Sequence, residues 1–255
     1  MSLPETLSWT SKAPLVIAHR GASMSAPENT LAAFVCAADL GAHAVELDAK
    51  LTADGCVVVH HDLTLGRTTD GSGKIAERTL SELKRLDAGG RFGERFINER
   101  IPTLGEVFEA VGHRLLINVE LTNYGSLFDR LVSAVLEQVH EHELEERILL
   151  SSFNPVALLK ARQLDPGIRT GLLELPGLPR LVRVLQRALV PHNDLHPPVS
   201  KTTVGLLQSE HAAGRRVNVW TVNDRDRIEE LIGQGADGII TDDPAMALEV
   251  LNRGR

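Results

Sequence analysis

Apolar residues along this chain fall into short continuous runs, separated by longer stretches in which they recur every third or fourth position. Short apolar runs bounded by Gly, Pro and polar residues predict buried strands, and the three-to-four spacing predicts helices packed by one face. Strands are expected at 15–19 (LVIAH), 44–51 (AVELDAKL), 114–121 (RLLINVEL), 147–153 (RILLSSF), 169–175 (RTGLLEL), 216–222 (RVNVWTV) and 238–241 (GIIT), with a weaker, more polar one at 189–195 (LVPHNDL). Pro27 opens the first helical stretch, in which Leu31, Phe34, Val35 and Ala38 share a face and Gly41 is the expected C-cap. Further helices are expected from Thr103 as N-cap, over 126–142, from Pro155 at the first helical position, and over 181–187, 203–213, 225–233 and 244–251.

Eight strands alternating with helices imply parallel pairing, because a helical crossover returns the chain in the same direction. The expected fold class is α/β, a (β/α)8 TIM barrel. An open doubly wound sheet competes with it, but the Gly-rich phosphate loop usual after its first strand is absent. The rhythm breaks once. After a turn at 52–55 (TADG) and the extended run CVVVHHD, residues 63–102 carry TTDGSG, the pair Gly89 and Gly90 and one short helical piece near 80–86. This stretch reads as a small insertion after the second strand, too poor in apolar residues for its own core, so 1–255 is expected to form one domain.

Composition narrows the functions. A 255-residue chain with 43% hydrophobic and 24% charged residues is globular and long enough to bury a sizeable core. The net charge of −7 without a basic stripe argues against a nucleic-acid partner, as do aromatics at only 4%. Cys36 and Cys56 form no CxxC and are expected as buried reduced thiols. The N-terminus lacks a basic start followed by an apolar core, and no segment is long enough to span a bilayer, so a cytoplasmic protein with no stable membrane insertion is expected. Monomer and homo-oligomer both stay open.

The polar residues that interrupt the strand pattern gather where a barrel places its chemistry, at the C-terminal strand ends. His19 and Arg20 close the first strand, Glu46 and Asp48 lie late on the second, and His61 and Asp62 follow the next extended run. Glu120 ends the third barrel strand, and Phe153, Trp220 and Asn223 end later ones. Side chains alternate along a strand, so Glu46 and Asp48 share a face about 6–7 Å apart. Two carboxylates turned into a barrel would repel, and a hard divalent cation, Mg2+ or Ca2+ rather than Zn2+, relieves that, with Glu120 as third ligand. A lone ExD would more often be a salt-bridged exposed pair, but the apolar neighbours Val45, Leu47 and Ala49 place this strand in a core. His19 and His61 suit the acid and base of phosphodiester hydrolysis, and Arg20 suits a bidentate grip on phosphate. Of His60 and His61, only one can face the pocket, and adjacency to Asp62 favours His61. Trp220 is either an apolar wall for the substrate's alcohol or core, and Asp242 is expected to cap the last helix ahead of Pro244.

HRG (19–21), PENT (27–30), ELD (46–48), HDLTLGRTTDG (61–71), VEL (119–121), SSFNP (151–155), VWTVN (219–223) and DGIITDDP (237–244) occur in this order. Together they resemble the glycerophosphodiester phosphodiesterase family, in its bacterial, single-domain, cytoplasmic type. The resemblance implies a TIM barrel with a small insertion and cleavage of glycerophosphodiesters to sn-glycerol 3-phosphate and an alcohol. It implies His19 and His61 as the catalytic pair and Glu46, Asp48 and Glu120 as ligands of one divalent cation. Arg20, Glu28, Phe153 and Trp220 would bind the substrate. One position departs: many members carry a lysine two residues after the third ligand, and Thr122 stands there, which shifts phosphate binding onto Arg20 and the cation. The alternatives are a phospholipase D-like or lysophospholipid-cleaving phosphodiesterase of the same barrel type, and a non-catalytic barrel that binds a phosphorylated ligand.

Overall fold

The structure is a computed structural model and describes residues 7–124 and 129–253. Eight parallel strands close into a barrel: β1 (Leu15–His19), β2 (Ala44–Leu51), β4 (Leu116–Leu121), β5 (Ile148–Ser152), β6 (Arg169–Leu173), β7 (Asp194–His196), β8 (Arg216–Val219) and β9 (Gly238–Thr241). Closure comes from β1, which pairs with β9 on one side and with β2 on the other. A ninth strand among the described residues, β3 (Val57–Val59), runs antiparallel to β2 outside the ring and leads into the insertion. The expected (β/α)8 class is the observed one.

Strand alternation explains why this barrel has an apolar floor and a polar mouth. Ala44, Glu46 and Asp48 share one face of β2, and Leu116, Asn118 and Glu120 share one face of β4, so each strand passes from apolar to acidic along its inner face. Leu15, Ile17, Ala44, Leu116, Leu149 and Ile240 pack together with Trp9 as the floor. The opposite faces, with Val45, Leu47, Ala49, Ile117, Val119 and Leu121, pack under α1 (Leu31–Leu40), α3 (Leu104–Val111) and α4 (Leu131–Glu141). Both strand faces being buried is what produced the near-continuous apolar runs.

The remaining helices are α2 (Leu80–Leu83), α5 (Pro155–Leu164), α6 (Arg180–Leu189), α7 (Val204–Ala212), α8 (Arg225–Gly233) and α9 (Pro244–Arg253). Their caps follow the sequence: Thr103 Oγ1 accepts from Glu106 N in a full capping box, Pro155 takes the first turn of α5, and Gly41 ends α1 at φ +87°. The α6 helix reverses the usual pattern. Buried Glu174 draws Arg183 and Arg187 inward, and Leu181, Leu185 and Leu189 are left exposed.

Four expectations need correction. α1 starts at Leu31 rather than Pro27, because Asn29 turns into the left-handed region (φ +56°) and Thr30 caps the helix through a bond from Ala33 N. The polar strand expected at 189–195 is β7, shifted to Asp194–His196, because α6 runs to Leu189 with Val190 as its C-cap, and Pro191 and the bend after it occupy the rest. Residues 63–102 do have a small apolar cluster, with Leu65, Ile75, Leu83, Ala88 and Ile101 packed on Val58 of β3. Cys36 and Cys56 are free but only half-buried. The helix expected from Ser126 is described from Leu131; its predicted start lies outside the described residues.

Gly21 sits at φ +84°, and a Cβ there would lie 2.7 Å from the carbonyl carbon of Ala33. Gly55 has a similar φ of +82° with nothing within 4 Å. Gly21→Ala is therefore expected to destabilise the fold by about 2–3 kcal/mol in urea unfolding, and Gly55→Ala by about 1 kcal/mol. Equal costs would contradict the close approach of this turn to α1.

Candidate active site

At the mouth of the barrel the chain turns sharply. β1 ends at His19, and Arg20 takes φ +57° before Gly21, an uncommon conformation for a residue with a side chain. That turn points the Arg20 backbone N–H at Glu46 Oε2 (3.0 Å) and lets its guanidinium reach Glu28 Oε1 (2.8 Å) and Asp48 Oδ2 (3.6 Å). The second turn, at Asn29, lets the Asn29 side chain donate to Asp48 Oδ2 (2.8 Å). PENT is thus a wound turn that reaches into the mouth, which explains why it cannot start the helix.

Glu46, Asp48 and Glu120 come together. Asp48 and Glu120 are direct register partners across β2 and β4, and one oxygen from each of the three residues lies within 4.8 Å of the others. Glu46 and Asp48 are buried. Burial pushes the Glu46 carboxyl well above its usual range, and the charges of Asp48 and Glu120 push it further. Burial, then Asp48, raises Glu120 to about 8, although Tyr124 Oη donates to its Oε1. Three oxygen donors crowded into a buried space, with the charges of Glu46 and Glu120 resisted, fit a hard divalent cation in the number and kind of their ligand atoms.

His19 and His61 line the same cleft, a space of about 130 Å3, with Arg20, Glu46 and Glu120. Each imidazole is held at Nδ1 by its own carboxylate at 2.6 Å: His19 by Asp242 and His61 by Asp62. That leaves both Nε2 atoms for the cleft. His60 points away, buried, with its ring nitrogens on Thr68 Oγ1 and the Asp62 carbonyl. Phe153 and Trp220 form the apolar wall, stacked edge-to-face at 5.6 Å between centroids, and Trp220 also packs on the barrel floor. Glu28 is not in the cleft lining; it grips Arg20 and Arg67 instead.

Asp242 is a correction. The residue that caps α9 is Asp243, whose Oδ1 accepts from Met246 N (3.0 Å), and Asp242 is engaged by His19, Ser23 and Asn223. Either of two adjacent aspartates could have capped the helix, and nothing local separated them. Lys50 was missed. It is two residues beyond Asp48, and its buried Nζ donates to Thr122 Oγ1 (2.8 Å). Extending the Glu46, Asp48 alternation by one step would have found it. The uncharged Thr122 thus has an ammonium from the neighbouring strand beside it. Burial lowers the Lys50 pKa, and Asp48 and Glu120 work in the other direction.

The glycerophosphoryl diester phosphodiesterase family model matches residues 19–246. A glycerophosphodiester phosphodiesterase of Caldanaerobacter subterraneus is 41% identical over 241 residues, 94% of this chain and 98% of that protein. Among solved structures, an Oleispira antarctica phosphodiesterase in complex with the product sn-glycerol-3-phosphate superposes with a TM-score of 0.88. It is 36% identical, over 96% of this chain and 99% of that one. A glycerophosphodiester phosphodiesterase from Thermotoga maritima gives a TM-score of 0.77 at 31% identity, over 94% and 99% of the two chains.

The raised carboxyls make stability depend on pH. Glu120 holds its proton more tightly folded (about 8) than at its ordinary value of 4.5, so the folded state binds more protons between those values. Without divalent cation, the melting temperature is expected to fall as pH rises from about 5 to 8, with Glu120→Gln flattening the fall. Saturating cation is expected to remove it. A flat profile in EDTA would contradict the crowding of charge.

Proposed function

The chain belongs to the glycerophosphoryl diester phosphodiesterase family, and from that premise we propose that it hydrolyses glycerophosphodiesters to sn-glycerol 3-phosphate and an alcohol. The observation that carries the reading is the pair of imidazoles, each fixed at Nδ1 by a carboxylate, lining one cleft with Glu46, Glu120 and Arg20. The product bound to the Oleispira antarctica relative supports the same substrate class.

Glu46, Asp48 and Glu120 would hold one Mg2+ or Ca2+, which supplies positive charge against the phosphoryl oxygens and glycerol hydroxyls. Arg20 is fixed by its backbone bond to Glu46 and its side-chain bond to Glu28, and it clamps a phosphate oxygen. One histidine takes a proton at Nε2 from the attacking oxygen, which is either water or the neighbouring glycerol 2-hydroxyl, the latter forming a cyclic phosphate that a water then opens. The other gives a proton from Nε2 to the leaving alkoxide. Asp242 and Asp62 hold the two rings at Nδ1 and so aim each Nε2 at the cleft. Phe153 and Trp220 exclude water from one side of the cleft. Lys50, on Thr122 Oγ1 and in the field of Asp48 and Glu120, would add positive charge behind the phosphate from outside the cleft lining.

A second reading draws on the surface. Leu63, Phe92 and Ile97 of the insertion are 70%, 45% and 55% exposed, Phe92 beside Glu28 and Arg67, and such side chains favour an acyl chain on the glycerol half of the substrate, as in a lysophospholipid. No helix among the described residues is long and apolar enough to cross a membrane.

Release of sn-glycerol 3-phosphate from glycerophosphocholine tests the first reading. Activity is expected with Mg2+ or Ca2+, to vanish in EDTA, and to drop about 100-fold or more in His61→Ala. No release with any cation would overturn it. A higher kcat/KM on lysophosphatidylcholine would select the second. Lys50→Met is expected to raise KM about tenfold with a smaller change in kcat, and an unchanged KM would remove Lys50 from phosphate binding.

A further inference from the structure

Arg67 opens the insertion, five residues beyond Asp62 and outside the barrel wall. Its guanidinium uses two edges at once. Nε and Nη2 donate to Asp62 Oδ2 (2.6 Å) and Oδ1 (3.1 Å), and Nη1 and Nη2 donate to Glu28 Oε2 (2.7 Å) and Oε1 (2.7 Å). The two oxygens reached by Nη2 are the ones already used at the site. Glu28 Oε1 also accepts from Arg20 Nη1 (2.8 Å), and Asp62 Oδ1 is the atom 2.6 Å from His61 Nδ1. An unbroken chain therefore runs Arg20, Glu28, Arg67, Asp62, His61.

We propose that Arg67 is a positioning residue that couples the phosphate clamp to one catalytic imidazole, setting Arg20 and His61 through a single planar fork. The inference rests on the hydrolytic reading above for the roles of Arg20 and His61. Its own basis is the shared oxygens. Arg67 lines neither the catalytic cleft nor the acidic cluster but the neighbouring space with Glu28 and Ser23, and it reaches Arg20 and His61 through its two carboxylates. Guanidinium is the group that can do this, because four coplanar N–H donors on two edges meet two carboxylates simultaneously. Glu28 is held at about 2 against the effect of burial, by Arg67 and Arg20, and the bonds from Arg67 lower Asp62 below its usual range. Both carboxylates therefore stay charged wherever the histidines work. The arrangement also gives the first turn of the insertion a purpose: it closes over the mouth and ties the β1 side to the β3 side.

The test uses the whole chain with its cation, glycerophosphocholine as substrate and sn-glycerol 3-phosphate as the binding probe. Arg67→Met is expected to lower kcat about tenfold or more through His61, and to raise KM and weaken product binding about tenfold through Arg20. Arg67→Lys is expected to stay impaired in at least one of these, since an ammonium has no fork. Arg67 is exposed, so the melting temperature is expected to hold. Glu28→Gln and Asp62→Asn are expected to combine less than multiplicatively, because both release the same hub, and each to cost less in the Arg67→Met background than in the wild type. Independent, multiplicative losses would overturn the proposal, as would kcat, KM and product affinity all within twofold of wild type in Arg67→Met. The calorimetric affinity separates the two layers: product binding that weakens in Arg67→Met, in a protein that never turns over the diester, would uphold the coupling and defeat the hydrolytic reading.

Discussion

Glu46, Asp48 and Glu120 project from neighbouring parallel strands into the same buried space, and like charges so close repel by about 3 kcal/mol per pair at an effective dielectric of about 20. Strand register sets this conflict, since Asp48 and Glu120 are direct partners and Glu46 lies two residues back on the same face. The surroundings answer it in pieces. Arg20 bends into a left-handed turn to bring its N–H to Glu46, Asn29 turns to reach Asp48, Tyr124 donates to Glu120, and Lys50 stands one alternation further out. These groups do not neutralise the cluster, and two of its carboxyls remain raised. In the proposed reading a divalent cation would complete what the chain leaves unfinished.

The two histidines share one design on different supports. His19 ends a barrel strand and leans on Asp242 from the last βα loop, so its partner comes from the far end of the sequence. His61 follows a short antiparallel strand and leans on its sequence neighbour Asp62, which a surface arginine holds in turn. One imidazole is set by barrel closure and the other by the insertion. Deep strain-tolerant turns and an exposed salt-bridge network thus meet across a cleft that neither could form alone.

Much of this was legible in the chain, for physical reasons. Both faces of every barrel strand are buried, so strands announced themselves as apolar runs, and polar residues inside those runs marked the mouth. The acidic cluster followed from alternation and strand-end position. What alternation does not encode is which partner a polar side chain chooses across the barrel. Asp242 and Asp243 look equivalent locally, and only the position of His19 on the adjacent β1 decides between them. Arg67 lay in plain view within HDLTLGRTTDG, but its role depends on Glu28 arriving from the other side of the mouth. Pro27 signalled a helix start, and the conformation of Asn29, required by its bond to Asp48, overrode it. Thr122 marks an uncharged position, and the ammonium beside it comes from Lys50 on β2, one alternation past Asp48.

The claim on which the rest depends is that the three carboxylates form one cation site. Calorimetric titration of the EDTA-stripped protein with Mg2+, Ca2+ or Mn2+ near neutral pH tests it most directly. The account predicts one site per chain, with protons released on binding as Glu46 and Glu120 give up theirs, and loss of that site in Glu46→Gln. Absence of binding by all three cations, or binding that is unchanged in Glu46→Gln, would contradict it.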